Sequence, residues 1–522
     1  MGGSADSGMS HAFDAIVIGA GLNGLVASAA LGRAGLRVLL LERGPATGGE
    51  ARAMQFAEGY RASPLSLDSG WLPPVVSRGL GLRPDLVASE TSATLLTGGG
   101  ARLAIARDVT RASETIRALS ARDSERWPGF VTQLGTIASF LEALYQLPPP
   151  DIDTTSFSEI LPLLGVARKF RGLGRDDMTE LLRVLPMAVQ ELVDDSFESE
   201  PLKALIAAGG VQDIRQGPRS GGTSFVLLHH MVGTTAGSIR GRPAVRQGPN
   251  VLANSIEEVA RGAKVSIRTG TDVAQIVVRD DRVAGVALAS GEEITAPVVL
   301  STLDPARTLL GLVDPVWFDP DFLQAVRKIK FRGIRATALF AMDGLPDTTG
   351  LDGVVSCTPT TVALEKAYDA AKYGETSERP HVEFSVPTLR WPDLAPAGKH
   401  VVVAHIQYVA DRRIGGTADG ALGDIVTRVL EDSLPGFASR VRHRTLLTPR
   451  DLAERYGLTE GAVTHGELTL DQIMFMRPVA GSGQYAMPIA GLYLGGAGAH
   501  PGPGVLGGPG WLAARRILRD RK

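Results

Sequence analysis

The chain has 522 residues, 44% of them hydrophobic, and a formal net charge of −2. That length provides for a large core divided over roughly two or three domains, and so balanced a charge offers no global field for nucleic acid or an acidic membrane surface. A single cysteine, Cys357, excludes a disulfide framework, a cysteine metal cluster and a redox dithiol, so electron chemistry needs a bound cofactor; the nine histidines show no metal-binding spacing.

The first twelve residues, MGGSADSGMSHA, are small and polar, with no basic start followed by an apolar stretch, and Asp6 stands where a myristoylation motif needs Ser or Thr. No run of about 18 apolar residues occurs. The expectation is a soluble, cytoplasmic protein with no transmembrane segment.

Phe13–Arg43 reads FDAIVIGAGLNGLVASAALGRAGLRVLLLER. AIVI has the composition of a strand buried on both faces. Gly19-x-Gly21-x-x-Gly24 then opens a segment with apolar residues at helical spacing, Gly35 ends it, and RVLLLE is a second buried strand closed by Glu42. This is a complete βαβ unit with an acid about twenty residues past the glycines, the pattern of a dinucleotide site. Gly19 permits the tight turn, Gly21 lets backbone approach a pyrophosphate, and Gly24 lets the helix pack on the strand. The helix N-terminus offers unpaired N–H groups to the anion. Glu42 can accept from ribose hydroxyls and disfavours a 2′-phosphate. Gly48-Gly49 and Arg52 follow at once; an NAD domain has no need of this second glycine pair, whereas a ligand that continues past its adenosine half does.

Residues 108 to about 240 show helical periodicity, broken at LPPPDIDTT. Gly262–Thr302 alternates apolar and polar residues between turns at TGTD, RDDR and SGEE, an antiparallel meander followed by the return strand APVVLST. Residues 330–415 read as strands and 420–440 as a helix. At the end, GLYL reads as a buried strand and WLAARRIL as a helix, joined by the glycine-rich GGAGAHPGPGVLGGPG. So much flexible backbone between a strand and a helix implies a ligand lying against it.

The segment E-R-x(4)-GG-x-x-R after the first βαβ unit resembles the glutathione-reductase-like flavoproteins. Gly59–Leu82, Phe197–Val211, Gly217–His230, His465–Val479 and above all GAGAHPGPGV resemble the phytoene-desaturase-like, amine-oxidase-fold flavoproteins, and among them the pyridine nucleotide-disulfide oxidoreductase domain-containing proteins. The resemblance implies an α/β fold: a Rossmann-like, glutathione-reductase-like FAD-binding domain assembled from residues 12–80, 245–305 and 478–522, with an inserted α+β substrate domain made of a mainly helical cap (81–244) and a mixed sheet (306–477).

It implies FAD as cofactor, held by Gly19, Gly21, Gly24, Glu42, Arg43, Gly48, Gly49, Arg52, the backbone at Val273, and Gly496, Gly498, Gly504 and Val505. Gly495, Gly496 and Gly498 would let backbone approach the ribityl chain, and the C-terminal helix would point its N–H groups at the flavin. Two positions depart from the pattern. Ala497 stands where many relatives carry an acid for the ribitol, and QGPN (Gln247–Asn250) replaces a second glycine pair.

The activity implied is FAD-dependent oxidation: dehydrogenation of a C–C or C–N bond in an apolar or alicyclic small molecule by hydride transfer to flavin N5, with oxygen or another acceptor reoxidising the flavin. Alternatives are a flavin-dependent isomerase or saturase, and a flavin-binding scaffold with degraded catalytic groups. Neither nucleic acid nor a metal is expected as partner, and a homodimer is compatible with the sequence. Catalytic candidates are His500, which either lines the site or holds the loop by hydrogen bonds, one of the successive pair His229 and His230, His465 with Glu467, and Tyr60 with Arg61. Amine oxidases place a lysine beside N5; Lys328 and Lys330 read instead as surface residues. Trp71 and Trp511 line a tunnel or pack in the core, and Cys357 reads as a buried hydrophobe.

Overall fold

In the computed structural model, which describes residues 12–150, 165, 168, 170–172, 174–409 and 417–521, strands Ala15–Ile18 and Val38–Leu41 lie parallel with Ile16 opposite Leu39. Both runs are fully buried, because each face of the sheet is covered. Ala15, Val17 and Leu40 pack under the helices Leu22–Arg33, Pro249–Gly262 and Gly508–Asp520. Ile16, Ile18, Leu39 and Leu41 face the other way, against a three-stranded antiparallel sheet of Val273–Arg279, Arg282–Leu288 and Glu293–Thr295.

The parallel sheet is completed from far along the chain. Its strand order is Leu492–Leu494, Val299–Ser301, Ala15–Ile18, Val38–Leu41, Ser266–Arg268. The chain ends therefore meet: a Cβ on Gly510 would lie 2.1 Å from the Asn23 carbonyl, and one on Gly507 would lie 2.5 Å from Val26 Cγ2.

A seven-stranded sheet forms the second body, in the order Val441–Leu447, Arg335–Met342, His400–Gln407, His381–Ser385, Val354–Ser356, Thr91–Gly98, Ala101–Ala106. It is antiparallel except where Val354–Ser356 runs parallel to Thr91–Gly98. The hairpin from Thr91 to Ala106 comes from the 81–244 stretch read as a helical cap, so that stretch also supplies one edge of the sheet. Its signal is weak because its stabilising partner, Val354–Ser356, is remote in sequence. The helices that follow, Val109–Arg117, Ala121–Tyr145, Val189–Ser196, Glu200–Gly210 and Thr223–Met231, pack into one core with Leu95 and Leu103 of that hairpin. Helix Thr417–Ser433 covers another part of the sheet through Leu422, Val426 and Leu430. The LPPPDIDTT breaker starts at Leu147, just past the end of helix Ala121–Tyr145; its part from residue 151 on, like residues 1–11, lies outside the described residues. Among the described residues, no helix is long and apolar enough to cross a membrane.

Candidate active site

The first glycine turn divides its work between protein and ligand. A Cβ on Gly24 would sit 1.8 Å from the Gly19 carbonyl, so that position is closed by the turn itself. Gly19 has φ +92, the left-handed region glycine favours. Gly21 differs from both: its φ of −66 suits any residue, and a Cβ there would meet nothing within 4 Å. Helix Leu22–Arg33 starts at Gly21 with no side chain capping it and no acid in its first turn. An open cradle beside uncapped N–H groups fits a pyrophosphate.

Gly48 lies across from Gly21, its N–H donating to the Ala20 carbonyl at 2.8 Å, and a Cβ on Gly49 would come within 3.0 Å of Gly21 Cα. Arg52 donates to Thr47 O and to Asn254 Oδ1, clamping this second turn onto helix Pro249–Gly262. Asn250, within the divergent QGPN, accepts from the Ala53 N–H at 2.8 Å. Glu42 accepts from the N–H groups of Ala20 (2.8 Å) and Gly44 (2.7 Å), which holds its carboxylate at the strand end. The Glu42 carbonyl accepts from Thr271, two residues before Val273. Arg43 reaches the Arg455 carbonyl at 3.2 Å, in the last turn of helix Pro449–Tyr456.

The glycines of the C-terminal loop meet protein as well. A Cβ on Gly496 would lie 2.2 Å from the Thr302 carbonyl, and one on Gly498 would lie 2.4 Å from Pro305 Cδ. Close approach of protein to protein already demands glycine at these two positions. Gly504 accepts from the Trp71 N–H, while Val505 bridges to Trp71 and packs in the helical core. Helix Gly508–Asp520 again starts without a side-chain cap.

Behind this loop lies a residue that sequence reading missed. Arg477 is fully buried and its guanidinium is spent on carbonyls alone: Ala497 (3.0 and 2.8 Å), Gln472 (3.2 Å), Thr464 (2.6 Å) and Gly466 (3.2 Å). Burial brings its pKa down to about 10, so it stays charged near neutral pH. The Ala497 carbonyl is thereby held by Arg477.

A cavity of about 190 Å³ opens between the two bodies. Leu22, Ala51 and Gly504 of the nucleotide-binding side form one wall; Val386, Trp391 and Val403 of the seven-stranded-sheet body form another. Charge is buried in it. Arg242 pairs with Asp68 at 3.2 Å and also donates to the carbonyls of Val232 and His229. Burial opposes the charge on Asp68, but Arg242 and the Gly70 N–H outweigh it and hold the carboxyl below its usual range. Arg335 Nη1 donates to both Asp213 oxygens at 2.8 and 2.9 Å, yet burial pushes Asp213 up. Glu50 lines the cavity, and desolvation raises its carboxyl too. None of these pairs was legible: Arg242 and Asp68 are 174 residues apart.

Of the five catalytic candidates, His230 alone lines this cavity. Its ring stands edge-on to His229 at 5.5 Å and has no hydrogen-bond partner among the described residues. His229 is placed as a strut. Nε2 meets the Pro503 carbonyl at 2.9 Å and Nδ1 meets the Tyr145 hydroxyl at 2.8 Å, an arrangement satisfied by the neutral ring with its proton on Nε2. His500 does not line the cavity; it lies buried, edge-on to Tyr145 at 5.8 Å, with its ring against the backbone of Leu144 and Leu147. His465 follows the lining residue Thr464 but does not itself line the cavity, and its Nδ1 is unpartnered, while Glu467 accepts from the Arg215 N–H and pairs with Arg332. Tyr60 packs on Leu339 and Val403 in a small apolar cluster, and Arg61 donates to the Asp393 carbonyl. Lys328 and Lys330 are exposed. Cys357 is buried in the core of the seven-stranded sheet, where desolvation pushes its thiol up to about 12.

The buried histidines set an acid limit. Desolvation takes His229 down to about 3, and His381 and His500 to about 4, against about 6.5 in an unfolded chain. Between those values the unfolded chain binds more protons, so stability rises with pH and levels off above about pH 6.5. Each such histidine adds a slope of about 1.4 kcal/mol per pH unit within its window. Denaturant midpoints are expected to fall steadily from about pH 6.5 to pH 5, and His229→Gln is expected to lessen the slope by one proton's share. Midpoints independent of pH in that range would contradict the buried, neutral placement.

Residues 22–518 match the flavin-containing amine oxidoreductase family. The chain is 32% identical to rat pyridine nucleotide-disulfide oxidoreductase domain-containing protein 2, covering 98% of this chain and 94% of that protein. It is 24% identical to the neurosporene-forming phytoene desaturase of Cereibacter sphaeroides, over 98% of this chain and 94% of that one. Among solved structures, an oxidoreductase from Methanosarcina mazei shares the fold, with a TM-score of 0.62 at 18% identity and coverage of 97% of this chain and 99% of the other. The glycine cradle, the meeting of the two chain ends and this match agree: the chain belongs to the flavin-containing amine oxidoreductase family, an FAD-dependent oxidoreductase.

Proposed function

We propose that the protein dehydrogenates a C–C or C–N bond of a small molecule whose body is largely apolar. The observation that carries this reading is the cavity between the two bodies, which borders both the glycine cradle at Leu22 and the apolar wall of Val386 and Val403. When bound, FAD supplies a two-electron acceptor for the hydride removed from substrate.

The chain supplies placement, dryness and a proton acceptor. Leu22, Leu252 and Leu506 exclude water on the nucleotide-binding side, and Val386, Leu394 and Trp391 do so opposite. Trp391 is held by its indole N–H on the Val245 carbonyl at 3.0 Å. Two cavity groups without a protein hydrogen bond can take the proton that leaves with the hydride. They are a ring nitrogen of His230 and the Glu50 carboxylate, whose pKa burial raises. The cavity wall holds no lysine among the described residues, in keeping with a desaturase-like rather than a lysine-assisted amine oxidation. The relationship to a phytoene desaturase supports the same direction.

The experiment is an anaerobic screen of the yellow holoprotein against alicyclic, polyene and amine compounds. Loss of the oxidised-flavin absorbance with formation of a product two hydrogens lighter is expected for one class. Bleaching that reverses without an added acceptor and yields a rearranged product would replace dehydrogenation by isomerisation. Absence of bleaching with every class would overturn the proposal.

A further inference from the structure

Most charges around the cavity are spoken for. Asp68 is paired with Arg242, and Asp213 with Arg335. Asp352 accepts from the N–H groups of Glu90 (2.8 Å) and Thr91 (3.2 Å). Arg107 spends its donors on the carbonyls of Ser89 and Gly241 and on Ser238 Oγ, with no carboxylate against it. Arg390 is the exception among the cations. It lines the cavity, its guanidinium makes no hydrogen bond and no ion pair among the described residues, and its one described side-chain contact is the Trp391 ring, 5.5 Å away.

The cavity wall carries four carboxylates, Glu50, Asp68, Asp213 and Asp352, and three guanidiniums, Arg242, Arg335 and Arg390; the two carboxylates that act on Arg390, Asp352 and Asp68, are already engaged elsewhere. Burial lowers the pKa of Arg390, and Asp352 and Asp68 only partly offset it. A half-buried guanidinium left without partners loses water without regaining hydrogen bonds, which is unfavourable unless a ligand restores them. Arg390 is also placed by its surroundings. It sits between two short turns, Pro387–Leu389 and Pro392–Leu394, with its N–H on the Pro387 carbonyl at 3.0 Å. Next to it, Trp391, Val386 and Leu394 offer an apolar surface.

We propose that Arg390 is the specificity anchor of this cavity: the substrate carries a carboxylate that its guanidinium fork receives, with the apolar body against Trp391, Val386 and Leu394. This rests on reading the cavity as the substrate site, and it changes the substrate class from a neutral apolar molecule to an amphipathic acid. Guanidinium matches a carboxylate in two parallel hydrogen bonds, which a point ammonium cannot do.

The test is equilibrium binding to the FAD-loaded protein, followed by perturbation of the flavin absorbance. The probes are cyclohexanecarboxylate and decanoate, each paired with its neutral carboxamide. The wild type is expected to bind at least one acid about tenfold or more tightly than its amide. Arg390→Met is expected to abolish that preference while leaving amide binding and flavin content unchanged, and Arg390→Lys to retain part of it. Equal affinity for acid and amide, no acid binding at millimolar concentration, or a preference that survives in Arg390→Met would each overturn the proposal. So would flavin loss in Arg390→Met, since the guanidinium would then be serving the cofactor's phosphates. None of these readouts depends on turnover, so the anaerobic screen can fail or succeed independently of the anchor.

Discussion

Gly21→Val should give a folded protein that no longer retains flavin, whereas Gly24→Ala should fail to fold stably. The two glycines are three residues apart in one motif, but their surroundings differ. At Gly24 a Cβ would lie 1.8 Å from the Gly19 carbonyl, and neither the turn nor the helix can retreat without disturbing the central strand Ala15–Ile18 that leads into them. Overpacking against backbone of that severity costs on the order of 4 kcal/mol, a large part of the stability of a domain. At Gly21 the backbone is in a conformation open to any residue and an added Cβ would meet nothing within 4 Å, so the empty protein accommodates a side chain there. Its methyl groups would occupy the space a pyrophosphate needs beside the helix N-terminus. Flavin affinity is expected to drop by about two orders of magnitude, roughly 3 kcal/mol. The ratio of flavin to protein absorbance reads the first effect, and denaturant midpoints read both. A Gly21→Val protein with a full complement of flavin would show that the cradle lies elsewhere.

Replacing Arg477 is the second change with a large expected effect. Its guanidinium is the common donor for four carbonyls, those of Gln472, Thr464, Gly466 and Ala497, in a fully buried setting. Arg477→Met keeps the approximate bulk but leaves those acceptors without a donor, at about 1–3 kcal/mol for each one that water cannot reach. A loss on the order of 4 kcal/mol is expected, together with loosened flavin, because the Ala497 carbonyl belongs to the loop between the last strand and the last helix. Arg477→Lys should fall between the two, since an ammonium has only three donors and no planar fork. An Arg477→Met protein with wild-type midpoint and flavin content would mean that water or a shifted loop satisfies the carbonyls.

The exchange of roles among the histidines shows how a site forms out of residues that look alike in sequence. His229 and His230 are adjacent on one helix, and successive positions face different directions. One ring consequently meets Tyr145 and Pro503 and serves as a brace, and the other faces the cavity. GAGAHPGPGV drew attention to His500, but that ring stands against Tyr145 and does not line the cavity. Arg390 and Trp391 drew none, because TLRWPDL has no pattern beyond its proline; only their position opposite the nucleotide-binding side makes them part of a site.

What the amino-acid sequence determined alone is the part whose contacts are short-range. AIVI, the GxGxxG turn and VLLL specify strand, turn and strand because Gly24 closes on Gly19 and because each run is apolar on both faces. The C-terminal strand, loop and helix were legible for the same reason. Tertiary structure decided which strands flank them, where the Thr91–Ala106 hairpin docks, and which charges are neutralised. It also decided that the loop glycines Gly496 and Gly498 answer to Thr302 and Pro305. The reason is physical: a hydrogen bond, an ion pair and the cost of desolvation depend on separation in space, and for Asp68 with Arg242 or Asp213 with Arg335 that separation is unrelated to the more than one hundred residues of chain between them.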